Sequence, residues 1–385
     1  MGGEKKNIWI FAGETSGDVY GAELAKSLIR TYSGNVSISG MGGKAMKDAG
    51  VSILVDSTEL GVVGLVEVLK IIFKFIRIFR FLVKKAEVER PDAVILIDYP
   101  GFNLRFAKQM HKRNIKVIWY VSPQIWAWGK KRIYELAEYC AKMLVIFPFE
   151  VDYYREKTSL DVEFVGHPLV DLVKHKLDPT IKRDMNKLLI LPGSRFSEIN
   201  RVLVPLLETA MIIKQQHPDL KLKISAARPS IEKRIREISE QFIADRKIEL
   251  PLEIECGNNI KLLQECGTGL SKSGTVTVEA AIVGIPLVVY YKLNPITYIV
   301  AKLIITLFRG FFAMPNIIAN KTIYEEFVQN VGTPKVLAEA INRILPGGER
   351  REFVISEIDN ITNNMLTLGK CQASDNAAEA VKRLI

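Results

Sequence analysis

Short apolar runs alternate with longer helix-patterned stretches along most of this chain, and that rhythm constrains its fold more than any single motif. Ile8–Ala12, Val36–Ser39, Ala93–Ile97, Lys116–Val121 and Met143–Phe147 read as strands, with helical stretches at about 19–30, 65–89, 102–113 and 130–140 between them. Lys187–Leu191, Lys221–Ser225, Leu252–Glu255 and Leu287–Tyr291 repeat the scheme. Strands separated by helices pair in parallel through right-handed crossovers. Between the two series lie Gly166-His167-Pro168 and the polar segment Val173–Asp184, which reads as a linker. The expected fold is α/β, two Rossmann-like doubly wound domains at 1–172 and 185–349, facing a central cleft at the carboxyl ends of both sheets. A last helical stretch, about 350–385, has no strand after it, and the first domain is a candidate surface for it to pack back on.

With 48% hydrophobic and 25% charged residues over 385 positions, the chain can build two full cores and is not a disordered one. Cys140, Cys256, Cys266 and Cys371 are scattered without a CxxC pair, and His167 and His175 stand apart from them. Neither a metal site nor a disulfide framework is indicated, and a reducing cytosol is expected. Ile8–Ala12 is far too short for a signal sequence, and no run reaches the roughly 18 apolar residues of a membrane span. The net charge of +10 favours an anionic partner: nucleic acid, anionic membrane or phosphorylated substrate.

The richest stretch is 271–291. A small-residue turn, Ser271, Ser273, Gly274 and Thr275, opens a helix carrying Glu279 about one turn in; Gly284–Pro286 ends it and releases the strand Leu287–Tyr291. Free N–H groups and the positive dipole end of such a helix attract phosphate. A carboxylate one turn on can accept two hydrogen bonds from a ribose diol, so the layout suits a nucleotide diphosphate. It also fits an ordinary strand–helix–strand unit with Glu279 on a solvated face. In Leu188–Arg195 a strand breaks into a Pro-Gly-Ser turn with Arg195 at its tip, where a guanidinium fork would suit a pyrophosphate or, on a surface βα loop, stay solvated.

Phe11–Gly21 follows the opening strand with Gly13 and Gly17 for a tight turn. Glu14, Ser16 and Asp18 there can bond sugar hydroxyls or cap the helix, and two acids suit a polyol better than phosphate. Gly40-Met-Gly-Gly-Lys-Ala45 fits the G-x-G-x-x-A dinucleotide fingerprint, but it follows the second strand, not the first. In Ala93–Asn103, Asp98 stands at the carboxyl end of a buried strand, placed to take a proton from an attacking hydroxyl or to cap the next helix. Trp126 and Trp128 close another strand and fit sugar stacking, acyl contact or core packing alike.

Leu65–Lys85 reads LVEVLKIIFKFIRIFRFLVKK. At about 100° per residue its Lys and Arg side chains fall within a sector of about 140°, beside a broad Phe/Ile face. That is the pattern of a helix lying in an anionic lipid interface. Ile296–Phe312 is also strongly apolar and suits lipid or acyl chains, and Met314-Pro315-Asn316 after it brings Asn316 toward a donor. Basic residues placed on a lipid-like helix, without a recognition motif, argue against nucleic acid.

With these pieces in order, the chain resembles the lipid-A-disaccharide synthase family, glycosyltransferases of GT-B type. The resemblance runs through Ala12–Asp18, Ile97–Asn103, Tyr120–Trp128, Phe147–Glu150, Gly166–Pro168, Leu191–Arg195, Ser273–Thr275 with Glu279, and Pro315-Asn316. It implies condensation of UDP-2,3-diacylglucosamine with 2,3-diacylglucosamine 1-phosphate (lipid X) to a β-1,6 disaccharide and UDP, with inversion and without metal or cofactor. It further implies Asp98 as base, Arg195 and Ser194 on the diphosphate within a Ser273-Gly274-Thr275 turn, Glu279 on the ribose, Asn316 near the donor, and Glu14, Ser16 and Asp18 on the acceptor side. A cytoplasmic enzyme resting on the inner face of the membrane through 65–85, and through 296–312, is the corresponding location. The competing readings are another GT-B transferase, a UDP-sugar epimerase, which would not need the Leu65–Lys85 helix, and a non-catalytic lipid-binding protein, which would tolerate Asp98→Asn.

Overall fold

The computed structural model describes residues 5–57, 67–125, 131–292 and 311–385, with side chains in the helix at 67–89 from residue 73 onward. Its chain divides into two units, Met1–Pro168 with Leu366–Ile385, and Leu169–Met365.

The first unit is built from β1 (Lys6–Ala12), α1 (Thr15–Thr31), β2 (Val36–Gly42), α2 (Lys44–Asp48), β3 (Ser52–Asp56), α3 (Glu67–Glu89), β4 (Ala93–Ile97), α4 (Pro100–His111), β5 (Lys116–Tyr120), α5 (Arg132–Tyr139), β6 (Lys142–Val145), α6 (Pro148–Arg155) and β7 (Val162–Phe164). Its strands form one sheet in the order β3-β2-β1-β4-β5-β6-β7, parallel throughout. Central strands such as Ala93–Ile97 are buried along their whole length, as a sheet covered on both faces requires. The chain order reverses between β1 and β4, where Ala12 lies opposite Ile97.

The second unit follows α7 (Pro168–Lys174) with β8 (Asp184–Leu191), α8 (Phe196–Gln216), β9 (Lys221–Ala226), α9 (Pro229–Arg246), β10 (Leu252–Cys256), α10 (Asn259–Glu265), β11 (Cys266–Lys272), α11 (Val276–Val283) and β12 (Leu287–Tyr291). Beyond the undescribed stretch come α12 (Met314–Ala319), β13 (Glu325–Val328), α13 (Pro334–Ile344) and α14 (Arg351–Asn360). The sheet order is β10-β9-β8-β11-β12-β13, and here the reversal falls between β8 and β11, with Leu191 opposite Ser271. In open parallel sheets the crevice outside such a reversal is where ligands bind.

Two expectations shift. The linker region is partly helical, α7, and the division falls at Pro168/Leu169. The 350–385 stretch is split between the units. In the second, Arg351 at the start of α14 is buried and donates to the carbonyls of Gly267 and Ile344. In the first, α15 (Ala373–Leu384) packs on α1 through Ser27–Ser374 at 3.0 Å and Arg30–Asp375 at 2.6 Å. Trp126, Trp128 and most of Ile296–Phe312 lie outside the described residues.

Candidate active site

In the first unit the reversal brings the turn after β1 beside the turn after β4. Asp98 and Tyr99 both take left-handed backbone conformations, φ 43° and 49°, which cost free energy in a non-glycine residue. Packing holds them there. Asn103, fully buried in α4, donates Nδ2 to the carbonyls of Ile97 and Asp98 at 3.2 and 2.8 Å. The Tyr99 ring lies over Gly13, where a Cβ would come within 2.2 Å of it, so a side chain at position 13 would collide with the ring. Asp98 does not cap α4, which starts from Tyr99 without a side-chain cap. Burial first, and the charge of Glu14 second, raise its carboxyl from 3.8 to about 6, against a lowering hydrogen bond from the Tyr99 amide. Glu14 and Ser16 stand exposed at the start of α1, on the same turn.

Asp18 does not belong with them. It is buried, and its oxygens accept from the amides of Gly43, Ala45 and Met46 at 2.7, 2.9 and 3.1 Å. The expectation that it meets the acceptor is therefore corrected: its carboxylate is the anion at the N-terminus of α2. The same contacts account for the false dinucleotide fingerprint. Its first glycine, Gly40, is a strand residue that lets β2 approach β1, since a Cβ there would lie 1.8 Å from the Ile10 carbonyl oxygen.

Beside Tyr99 runs an apolar cavity of about 1000 Å³ between α3 and α4, lined by Phe75, Phe79, Val83, Tyr99 and Phe102 and edged by Arg80, Lys84, Arg105 and Arg113. Phe102 ties its wall together, edge-on to Phe79 at 5.5 Å and stacked with Tyr99 at 6.3 Å. The described apolar side chains of α3, from residue 73 onward, divide three ways. Leu82 and Ala86 enter the core, Phe75 and Phe79 line the cavity, and Phe73 and Phe81 face solvent at 71% and 50% exposure. Among the described residues no helix is long and apolar enough to cross a membrane.

In the second unit a cavity of about 480 Å³ sits over the reversal, lined among others by Ser194, Arg195, Ser273, Gly274, Thr275 and Glu279. The structure brings these residues together. Ser271 and Lys272 are the end of β11 rather than part of the turn; α11 begins at Val276 and ends on Gly284, φ 80°. Gly193 has φ 110° and packs against Glu198, whose Oε2 accepts from the Ser194 amide at 3.2 Å. Arg195 is exposed, its Nη1 3.6 Å from Glu198. Glu279 is oriented by Asn259, whose Nδ2 donates to its Oε2 at 3.0 Å while the Asn259 Oδ1 accepts from Ser225 at 3.0 Å. Burial pushes the Glu279 carboxyl above the usual carboxylate range, and the Asn259 bond works against that rise.

Asn316 departs from expectation. It is fully buried, donates to Tyr324 O and Glu326 Oε1, and accepts from the amides of Ile323 and Tyr324. All its polar atoms are spent on the chain, so it braces the loop after α12 and its side chain does not reach a donor. Glu326 next to it, pushed up to about 7 by burial, accepts from the amides of Phe312 and Ala313. Ser273 Oγ in turn donates to the Phe312 carbonyl at 3.3 Å, linking that brace to the cavity. Sequence reasoning missed Lys272, Glu198 and Asn259; the signal available was only a polar residue next to a glycine-bearing turn at a strand end. Among the described residues no cluster of three metal-ligating side chains occurs.

A family model described as lipid-A-disaccharide synthetase matches residues 8–381. The chain belongs to the lipid-A-disaccharide synthase family. It is 38% identical over 356 residues to the synthase of Trichlorobacter lovleyi, covering 90% of each chain. It is 33% identical over 396 residues to that of Coxiella burnetii, covering 99% of each. Membership makes the chain a glycosyltransferase of lipid A disaccharide synthesis. Among solved structures, the UDP-GlcNAc 2-epimerases of Neisseria meningitidis, bound to UDP-GlcNAc, and Methanocaldococcus jannaschii, in complex with UDP-GlcNAc and UDP, superpose with TM-scores of 0.59 and 0.58. At 10% and 14% identity, with 98% of this chain and 99% of theirs covered, they share the GT-B type fold.

Proposed function

We propose that the second unit holds a UDP-activated diacylglucosamine and the first a diacylglucosamine 1-phosphate, and that Asp98 takes the proton from the acceptor's 6-hydroxyl. The carrying observation is Asp98 itself: a carboxylate at a sheet reversal, held in a strained backbone, not spent on capping the next helix, and raised to about 6. A base tuned toward neutrality accepts a proton more readily than an ordinary aspartate and is still ionised at pH 7.

As the hydroxyl oxygen bonds to the anomeric carbon, its proton passes to Asp98 and the bond to the diphosphate oxygen breaks. UDP leaves with the electron pair, from the opposite face, so the configuration inverts. Arg195 and the Ser273–Thr275 turn stabilise the charge gathering on the diphosphate, and Glu279 takes the ribose diol. Glu14 and Ser16 hold acceptor hydroxyls. The cavity between α3 and α4 takes acyl chains, its cationic edge suits the acceptor phosphate, and Phe73 and Phe81 face the lipid surface. This reading places the enzyme at the inner face of the cytoplasmic membrane.

The test is release of UDP from purified lipid monosaccharides. Release should require the acylated acceptor, and Asp98→Asn should lose turnover while keeping UDP binding. Acceptor-independent UDP release, or an active Asp98→Asn enzyme, rejects the mechanism. Flotation with anionic liposomes, comparing wild type with a Phe73→Ser/Phe81→Ser variant, tests the membrane face.

A further inference from the structure

Lys272 ends β11 at the sheet reversal and lines the same cavity as Arg195 and the Ser273–Thr275 turn. Its Nζ lies 3.0 Å from Glu198 Oε1 and 5.3 Å from the centre of the Tyr291 ring. Glu198 therefore accepts from two donors, the Lys272 ammonium at 3.0 Å and the Ser194 amide at 3.2 Å, and forms an ion pair with the Arg195 guanidinium at 3.6 Å. An ammonium, a guanidinium and a backbone N–H converging on one carboxylate are the donor set that a phosphate oxygen needs. The anion already among them belongs to the chain. Burial opposes its charge, but the Lys272 bond and charge, the Ser194 amide and the Arg195 charge together outweigh burial and hold Glu198 below the usual carboxylate range.

We propose that Lys272 is a second diphosphate-binding cation beside Arg195, with Glu198 as its internal counter-ion. An ammonium carries three N–H donors. One serves Glu198, and the others are left to reach a diphosphate seated over the Ser273–Thr275 turn. The contrast with Arg195 is mechanical. Arg195 has a side chain 79% exposed and is held only by a 3.6 Å ion pair to Glu198, whereas Lys272 has one 18% exposed and is held by Glu198 at 3.0 Å and by the Tyr291 ring. Lys272 thus supplies a pre-set charge, and Glu198 keeps it from folding back onto the protein elsewhere. The proposal rests on the reading of this cavity as the donor site.

The experiment compares binding of UDP and of uridine by calorimetry to wild type, Lys272→Gln, Lys272→Arg and the double variant Glu198→Gln/Lys272→Gln. Loss of one charge-assisted bond should weaken UDP about 10- to 100-fold in Lys272→Gln, leave uridine within about twofold, and flatten the salt dependence of UDP binding. Lys272→Arg should recover part of the affinity, which a merely misfolded site would not do. Equal weakening of UDP and uridine, or no change in UDP, overturns the proposal. Full recovery of UDP affinity in the double variant also overturns it, because Lys272 would then serve only to neutralise Glu198. If wild type itself fails to bind UDP, the donor-site reading falls first and the proposal with it.

Discussion

Asparagine at position 98 separates two consequences of burying a carboxylate where a proton has to be taken. The native carboxyl titrates at about 6 against 3.8 for an unburied aspartate. The native fold therefore binds the proton more tightly than the unfolded chain does. Stability from this group is whole below about pH 3.8 and is lost as pH rises through 6, where the ionised form carries the full penalty. A gap of about two pKa units corresponds to roughly 3 kcal/mol, an upper figure because the 98–99 turn can relax. Asparagine mimics the neutral acid at every pH. Asp98→Asn should then be more stable than wild type by up to about 3 kcal/mol at pH 8 and no different near pH 4, while losing about 100- to 10,000-fold in turnover. Wild-type kcat/KM should fall along the opposite limb, to about half at pH 6 and about one-tenth at pH 5. Glu14→Gln removes the second cause of the shift, so that limb should move down in pH without passing 3.8. The assays are thermal unfolding across pH 4–8 and initial rates of UDP release over the same range. An Asp98→Asn protein less stable than wild type at pH 8, or a wild-type acid limb unmoved by Glu14→Gln, would refute the account of a penalised, functional base.

Three further outcomes follow from contacts at the two reversals. Asn259→Ala frees Glu279 from its lateral bond, so discrimination between UDP and 2′-deoxy-UDP, expected at about tenfold for one hydrogen bond to a charged group, should shrink toward unity in binding measurements. Asp18→Ala strips an acceptor from three amides, two of them buried, and should destabilise the fold by about 2–4 kcal/mol in urea unfolding; a stable variant with a raised acceptor KM would restore Asp18 to the acceptor site. Phe75→Ser/Phe79→Ser should raise KM for the acylated acceptor and leave the UDP Kd unchanged, whereas Phe73→Ser/Phe81→Ser should chiefly reduce liposome flotation.

The strands rich in Val, Ile and Leu were legible because full burial leaves a plain apolar run, as in Ala93–Ile97. β11 was not. Its sequence, Cys-Gly-Thr-Gly-Leu-Ser-Lys, has one large aliphatic residue, yet it is central in its sheet. The reason is space: a Cβ on Gly267 would lie 2.7 Å from Met185 Cα and one on Gly269 would lie 2.3 Å from Leu287 Cδ2. Neighbouring strands fill the room that its own side chains would take, and no local pattern announces that. Asp98 was legible as a carboxylate at a strand end, but not its left-handed conformation, which depends on Asn103 and on the missing side chain of Gly13. Asn316 misled for the converse reason. A polar residue near an apolar segment looks exposed until the loop that consumes its hydrogen bonds has closed around it.

The same limit bears on the proposal that the two units take different ligands. Each has glycine-bearing turns that present amides to an anion, and in both an acidic side chain of the chain itself answers. In the first, Asp18 takes the amides of Gly43, Ala45 and Met46, an anion fixed from a turn some 25 residues away, which a motif cannot register. That turn is satisfied, and the acids left at the reversal, Glu14 and Asp98, repel phosphate and favour hydroxyls. In the second unit Glu198 takes only the Ser194 amide of its turn and is itself held by two cations, and the Ser273–Thr275 turn and its cavity are where the proposed diphosphate sits. On the proposed reading, the placement of one carboxylate relative to its turn, rather than the turn sequence, separates the hydroxyl-binding half from the diphosphate-binding half of the same fold.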